Sequence, residues 1–396
     1  MADEWGERMP RSVSFAQIVA LSVGITIGSG IFRVPATVAA QLQFPGPMLF
    51  CWVLGGVIAV CGALTVAELA GALPRSGGVF AYLLEAYGPL PAFLFGWTEL
   101  VVIRASALGA IATIFADYLG YFVPLVAAHV QAAAALAIVL IGLINYVGVQ
   151  RAAAVLSATT AVKYVVLLGL GLLAFTARGG SAAHFAPAWP ASAPWSALAT
   201  ALIPVMWTYD GWADAAFVAG EVSNPQRNLP LALIAGALCV IVVYLVVNVG
   251  FLYALAPQTM ADRGLFFRAA ARVSPRFDSP SVAIWLATAL GVAYVLENDF
   301  AQLADKFILG IWPFYALTVA AVFVLRARRP ELPRPYRVWG YPTVPALFLL
   351  ASLYMVLNAL ISDPRGTGIT FAIILAGVPV FWLRGWLRGL RAARQP

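Results

Sequence analysis

The chain has 396 residues, of which 62% are hydrophobic and 10% charged, and its formal net charge is +7. Soluble domains carry about 25% charged residues, so this composition excludes a soluble protein and indicates a polytopic membrane protein. The arginines lie in short segments between apolar runs, and no basic face or aromatic–basic module points to nucleic acid. The three cysteines lie inside apolar runs and the two histidines near predicted loops, so we expect no metal site and no cofactor.

Apolar runs of about 20 residues predict transmembrane helices. The polar start is followed by a run too long for the apolar core of a signal peptide, so we expect the first helix to remain in the mature chain. The sequence predicts about eleven crossings in a single transmembrane domain, at residues 14–42, 47–72, 90–119, 122–148, 152–177, 196–221, 229–256, 280–297, 301–327, 342–361 and 367–388.

Two of these runs carry an interruption near their middle. The first contains Gly24, Gly28 and Gly30, and glycine is a poor helix former that releases the backbone around it. The sixth contains the segment 207–212, Trp-Thr-Tyr-Asp-Gly-Trp. Open backbone inside a bilayer is tolerated only where protein or a water-filled cavity meets its polar groups, so broken helices indicate a binding site. Alternatively, the glycines are small residues for helix packing.

Positive charge predicts the orientation of the first seven spans, with the chain start, Arg75 and Arg227 on the cytoplasmic side. Beyond the seventh span the alternation fails, because counting places residues 297–299 inside and the five arginines of 326–337 outside. One additional crossing near 257–262 would correct every later loop. Either a helix is missing there, or the second half of the chain crosses the membrane in the orientation that the charges of its loops disfavour.

Charged side chains at membrane depth are costly and are therefore candidates for function. Arg104, Lys163 and Asp210 lie inside predicted spans. Each also has a plainer interpretation: Arg104 in a fixed ion pair, Lys163 reaching an interface, and Asp210 capping the broken helix. Main-chain N–H groups at the start of a second half-helix, after Gly28, would suit a carboxylate.

Several motifs occur in an order and spacing that is specific. They are Ile-Gly-Ser-Gly-Ile-Phe at 27–32, Glu-Leu-Ala at 68–70 with Pro-Arg-Ser-Gly-Gly at 74–78, Arg-Ala-Ser at 104–106, the segment 207–212, and Asn-Pro at 224–225 with Asn-Leu-Pro at 228–230. Together they resemble the amino acid–polyamine–organocation superfamily, and within it the L-amino-acid transporter branch. The resemblance implies an all-α, five-plus-five inverted-repeat fold with broken helices one and six. Its first repeat would span about 14–177, an incomplete second repeat about 196–327, and two extra helices about 342–388. Members of this family usually have twelve helices, and this chain lacks the usual eighth.

The resemblance also implies roles for individual residues. The carboxylate of an amino acid would bind backbone at Gly28, Ser29, Gly30 and Ile31, and its ammonium would bind the unwound backbone at Trp207, Tyr209, Asp210 and Gly211. Trp207 would close over the substrate, and relatives often have Asn where this chain has Ala213.

Four further residues complete this expectation. Lys163 would tie helix five to broken helix one, at the place where sodium would otherwise bind, which argues against sodium coupling. Glu68, Arg104 and Glu221 would serve structure and gating.

The resemblance implies a secondary active transporter for small, neutral L-amino acids, working by exchange or proton-linked uptake without sodium. It would be a multi-pass protein of the cell membrane, in bacteria the inner membrane, and not an enzyme. Its partners would be the amino acid and the bilayer, with a homodimer possible and no subunit identified. The missing helix leaves an alternative open: an amino-acid-binding sensor or truncated paralogue that does not transport.

Overall fold

The computed structural model describes residues 11–147, 165–191, 195–257 and 281–392. These residues are nearly all helical, and the only extended pairing among them is one isolated bridge between Val13 and Val222. The helices are α1 Phe15–Thr26, α2 Gly30–Leu42, α3 Pro45–Ala72, α4 Gly78–Tyr87, α5 Pro89–Thr98, α6 Ala105–Gly120, α7 Pro124–Ala128, α8 Val130–Val147, α9 Val165–Thr176, α10 Trp195–Tyr209, α11 Pro225–Ala254, α12 Ser281–Glu297, α13 Phe300–Arg328, α14 Thr343–Ser362, α15 Pro364–Leu375 and α16 Gly377–Ala392.

Besides the 3-10 turn Ala174–Thr176 that ends α9, three short helical segments are not α-helical. The π-helical segment Glu99–Arg104 joins α5 to α6, and 3-10 helices cover Ala182–Phe185 and Asp214–Glu221. The third of these continues the α10 span after an interruption, so the predicted sixth span is broken as expected. The predicted loop 178–194 is irregular apart from its short 3-10 helix, within its described residues.

Six helical stretches of the described chain are long and apolar enough to cross a membrane, and α1 with α2 makes a seventh if a pair bent by 45° is one span. The six are residues 45–72, 89–120, 225–254, 300–328, 343–362 and 364–383. All of them coincide with predicted spans, and the predicted all-helical membrane fold is confirmed. Eleven crossings and the paired repeats stay predictions, and residues 148–164 of the predicted fourth and fifth spans lie outside the described chain.

The two interrupted spans share their neighbours. Helix α11 packs against both α1 and α3, and α10 packs against both α2 and α3. Helix α1 begins with a capping box, in which the Ser14 hydroxyl accepts the Gln17 N–H and the Gln17 side chain accepts the Ser14 N–H. The chain therefore enters the first span at a fixed point, and the first half of that span ends at Thr26.

One face of the bundle holds the end of α11 and the start of α3. There the Ser181 N–H donates to the Tyr253 carbonyl at 3.0 Å, and the Gly46 N–H donates to the Ala188 carbonyl at 2.8 Å. The irregular segment 178–191 lies over this face, which was predicted to be the outer one. We call it the outer face.

The opposite, inner face holds the arginine-rich connector between α13 and α14. Arg329 forms an ion pair with Glu85 at 2.8 Å, and Arg328 donates to the Ala86 carbonyl at 3.4 Å. Glu85 also lies 4.0 Å from Arg75 of the predicted cytoplasmic connector. Counting the predicted spans in chain order placed this connector outside, and that placement was wrong. The positive charge of the connector indicated the correct side.

The loop before α13 lies at the outer face, where Phe300 meets Arg33 of the outward-running helix α2. The count that placed residues 297–299 inside was therefore also wrong. Helix α11 ends at the outer face, whereas α12 runs towards that face. Along α12, Thr288 contacts Gly142, and the later residue Gly291, which is nearer to the outer face, contacts Leu108. The predicted absence of helix eight concerns residues 258–280, which lie outside the described chain.

Candidate functional site

The first interruption leaves a short stretch of main chain outside regular helix. Helix α1 ends at Thr26 and α2 begins at Gly30. The N–H groups from Gly28 to Ile31 make no hydrogen bond to the described residues, and they lie at the positive end of α2. The Ser29 hydroxyl is buried and has no hydrogen-bond partner among the described residues either. This group of donors can bind an anion such as a carboxylate.

The second interruption directly touches the first. Helix α10 ends at Tyr209, and Gly211 has a φ of +108°, a conformation that favours glycine. A Cβ atom placed on Gly211 would lie 3.1 Å from the main-chain nitrogen of Thr26 and 3.0 Å from Ile25. Glycine at this position therefore permits both the turn and the contact between the two broken spans.

Trp207 covers the start of α2. A Cβ atom on Gly30 would lie 2.7 Å from the Trp207 ring and 2.9 Å from the Thr208 hydroxyl. On its other side the Trp207 ring meets Phe300 edge to face, with 5.3 Å between the centroids. The indole thus stands between the first interruption and the outer face, which is the position predicted for a gate.

Tyr244 of α11 joins the two interrupted spans, and the sequence analysis missed it. Its hydroxyl lies 3.0 Å from the Thr26 carbonyl and 2.9 Å from the Thr208 carbonyl, so one donor is shared between both helix ends. The side chain is fully buried. A hydroxyl in the middle of the apolar run of α11 was the signal that could have identified it.

Other predicted backbone ligands differ in what surrounds them. A Cβ atom on Gly28 would meet nothing within 4 Å, so this glycine leaves open space beside the main chain. Ile31 is fully buried. The Tyr209 hydroxyl donates to the Trp52 carbonyl at 3.1 Å, which turns its side chain towards α3 and leaves only its main chain for the site.

Asp210 belongs to a buried polar cluster on the other side of the broken α10 span. Its Oδ1 accepts the Tyr315 hydroxyl at 2.9 Å, and it lines a small cavity together with Asp214, Glu99 and Arg104. Among the described residues the carboxylate of Asp210 is bonded by a side chain of α13, and the alternative that it caps the broken helix stays a prediction. Arg104 pairs with Glu99 at 2.5 Å, which agrees with the plainer interpretation of an ion pair.

Glu68 lies away from the interruptions, at the inner end of α3. Both of its oxygens accept from Arg326, at 2.8 and 2.6 Å, and one also accepts the Val338 N–H at 2.7 Å. The side chain is 2% exposed, and through the Val338 N–H and Arg334, which lies 3.5 Å away, Glu68 anchors the basic connector. Its predicted part in gating stays a prediction. Lys163 lies outside the described residues.

The inner ends of the two interrupted spans are tied together. The Val13 N–H donates to the Glu221 carbonyl at 3.0 Å, and the Ser223 N–H donates to the Val13 carbonyl at 2.9 Å. The Gly220 N–H also donates to the Ser76 hydroxyl at 3.3 Å. These bonds close the inner side, and Glu221 takes part through its main chain.

Comparisons with known proteins agree on one family. The sequence profile described as "Amino acid permease" matches residues 13–271 and 257–383. The human b(0,+)-type amino acid transporter 1 is 30% identical over 427 residues, covering 92% of this chain and 86% of that protein. The serine/threonine exchanger SteT of Bacillus subtilis (strain 168) is 26% identical over 426 residues, covering 94% and 97%. The human cystine/glutamate transporter is 28% identical over 436 residues, covering 95% and 85%.

These alignments are longer than the chain itself. The one with the Bacillus subtilis protein runs over 426 positions, against 396 residues here. That relative therefore carries residues that this chain lacks.

Proposed function

Because the chain belongs to the amino acid permease family, we propose that it is a multi-pass membrane transporter that exchanges small, neutral L-amino acids by alternating access. Its relatives are named as transporters or exchangers of amino acids, which supports this substrate class and gives no support to an enzyme. Exchange is the favoured mode because one bacterial relative is named a serine/threonine exchanger. Neutral substrates are favoured because the two interruptions present main-chain groups and no side-chain charge of their own beyond Asp210, which is bonded to Tyr315.

The contact between the two interruptions carries the proposal. Donors at Gly28 to Ile31 face the carboxylate, and main-chain carbonyls from Trp207 to Asp210 accept from the ammonium. Gly211 brings the second interruption against Thr26, so both sets of groups lie within one small volume. An α-amino acid is a zwitterion of this size, and main-chain recognition leaves its side chain to the surrounding pocket.

Alternation would use the two closures described above. On the inner side, the bonds between Val13 and residues 221–223 must separate to release substrate to the cytoplasm. On the outer side, Trp207 must leave the start of α2 to admit it. Tyr244 links both spans, so its hydroxyl would move from the helix ends when substrate binds between them. Lys163 would replace sodium in holding broken helix one.

Countertransport in proteoliposomes tests this function. The purified protein is reconstituted into vesicles loaded with unlabelled serine, and uptake of labelled serine is measured with and without sodium and a pH gradient. We expect uptake that requires internal serine and needs neither gradient. Uptake that requires sodium would contradict sodium independence, and uptake driven by a pH gradient into empty vesicles would favour proton-linked transport instead.

A second candidate is a sensor that binds amino acids without transporting them. It is favoured by the residues that this chain lacks relative to its relatives. A thermal-shift series with serine, run on the same preparation, separates the two candidates. Stabilisation by serine without any countertransport would support the sensor, and stabilisation together with countertransport would support the transporter.

A further inference from the structure

A cavity of about 330 Å³ opens at the outer side of the bundle. It lies between α2, α10, the start of α13 and the junction of α14 with α15, and Thr37, Thr200 and Ser362 contribute hydroxyls to its wall. This volume is at the small end of the range for ligand pockets and suits a single metabolite.

The cavity is separate from the interruptions. Phe300 lies in its floor and packs edge to face on Trp207, which in turn covers Gly30. The Arg33 guanidinium lies 4.6 Å from the Phe300 ring centre and completes this floor. A molecule in the cavity would therefore be held one layer outside the proposed central site.

Negative charge dominates the cavity wall. Asp299, Asp305 and Asp363 line it, and Arg33 is the one cation among the described lining residues. The charge of Arg33 is already matched, because it forms an ion pair with Asp117. The neighbouring Lys306 donates to the Asn298 side chain at 2.7 Å. A cation entering the cavity would thus meet carboxylates that the protein itself leaves uncompensated.

These carboxylates differ in the hydrogen bonds that they already accept from the protein. Asp299 and Asp363 each accept a backbone N–H at a helix start, from Gln302 and Gly366 at 2.9 Å. Asp305 forms no hydrogen bond or ion pair within the described part of the chain, and it is the carboxylate best placed to bind a ligand.

Two amides in the wall also have spare hydrogen-bonding capacity. The Gln41 side-chain oxygen and the Asn358 side-chain nitrogen are buried without a partner among the described residues. Buried polar atoms of this kind usually have a partner, so they point to a polar molecule in the cavity. One acceptor and one donor match the ammonium and carboxylate of an amino acid.

We propose that this outer cavity is a second binding site, for amino acids with a cationic side chain, and that it lies outside the layer formed by Phe300 and Trp207. The inference rests on the proposed function for its ligand class. The side-chain cation would lie against Asp305, and the α-ammonium and α-carboxylate would bind the two amides. The chain would then bind cationic amino acids at its entrance, in addition to the neutral amino acids proposed for the central site.

Equilibrium binding of labelled lysine and labelled alanine to the purified protein tests the proposal. In Asp305→Asn we expect lysine to bind at least about tenfold more weakly, because a charge-assisted contact is lost, while alanine binding is unchanged. Asp305→Glu should restore most of the lysine affinity. Glu331→Gln, which removes a carboxylate from the exposed inner connector, is the matched control and should change neither affinity.

A second variant separates the two sites. Gly30→Val places a side chain where the Trp207 ring lies, so it should abolish alanine binding at the central site but leave lysine bound at the outer cavity. Equal lysine binding in the wild type and Asp305→Asn would overturn the proposal, as would parallel loss of lysine and alanine in Gly30→Val. If the wild type shows no countertransport but lysine binding still depends on Asp305, the proposed function fails and the outer site stands.

Discussion

At the scale of single residues, the site depends on positions that are occupied by glycine. Gly211 combines a positive φ with a main chain that lies against Thr26, and Gly30 lies against the Trp207 ring. Neither position has room for a Cβ atom without a shift of backbone or of a large ring. The glycines therefore do more than open the helices, because they also let the two open segments touch.

Gly211→Ala tests this contact. The substitution forces an L-residue into a positive φ and brings its Cβ atom against Thr26, so we expect a loss of about 1–3 kcal/mol in the free energy of unfolding and a large loss of serine countertransport. Thermal unfolding and vesicle flux measure the two effects. Gly96→Ala is the control, since a Cβ atom there meets nothing within 4 Å, and it should lower neither stability nor flux. Normal flux in Gly211→Ala would contradict the role of this contact.

Tyr244→Phe tests the shared hydroxyl. Removing it leaves the carbonyls of Thr26 and Thr208 without their common donor, which should destabilise the protein by about 1–3 kcal/mol and slow countertransport. Tyr354→Phe, at a half-exposed tyrosine of α14, is the matched control. If the two variants have the same melting temperature and the same flux, Tyr244 does not couple the two interrupted spans.

At the scale of elements, the inner closure is a short parallel pairing between the chain before α1 and the chain before α11. Val13 and Val222 stand opposite each other in this pairing. Alternating access requires the pairing to break in every cycle, since it is what ties the inner end of α1 to the broken α10 span.

A disulfide across this pairing should arrest transport. Neighbouring paired strands lie about 4.8 Å apart, which places the Cα atoms of Val13 and Val222 within the range that a disulfide spans. In a Cys239→Ser background, oxidised Val13→Cys/Val222→Cys protein should lose serine countertransport and regain it on reduction. The Val13→Cys single variant should transport under both conditions. Undiminished flux in the fully cross-linked protein would rule out movement at this closure.

The basic connector is a second element, and its attachment to α3 rests on one buried carboxylate. Glu68→Gln removes the charge that pairs with Arg326 at 2.6 Å and with Arg334 of the connector at 3.5 Å, so we expect a loss of about 3–5 kcal/mol in stability. Glu85→Gln removes a more exposed partner of Arg329 and should cost less than about 1 kcal/mol. Thermal unfolding of the two variants measures the loss of stability in each.

Flux then decides between two roles for Glu68. If Glu68→Gln transports normally at temperatures where it is folded, Glu68 is structural. Lost flux in a protein of unchanged stability would instead support the predicted gating role and contradict the anchoring described here.

At the scale of the whole molecule, local sequence signals predicted more of the fold than of the site. The glycines at 24–30 and 207–212 marked both interruptions, because helix propensity acts locally. The arginines of 326–337 indicated their own side correctly, even where counting spans gave the opposite answer. The charge of a loop predicts its side without reference to other loops, whereas counting spans gives the wrong side for every loop that follows one miscounted span.

The partners of the site residues could not be predicted in this way. Tyr315 bonds Asp210 from 105 positions away, and Phe300 packs on Trp207 across a similar separation. Neither residue stands out in its own run, since one aromatic side chain in an apolar helix is ordinary. The outer cavity was missed for the same reason, because its walls come from four separate parts of the chain.

The central claim is that the two interruptions hold one amino acid by their main chains. An experimental structure of the protein with bound serine tests it most directly. We expect the serine carboxylate within hydrogen-bond distance of the N–H groups between Gly28 and Ile31, and its ammonium against the carbonyls between Trp207 and Asp210. Serine bound elsewhere, or continuous helix through residues 26–30 and 209–214, would contradict the claim.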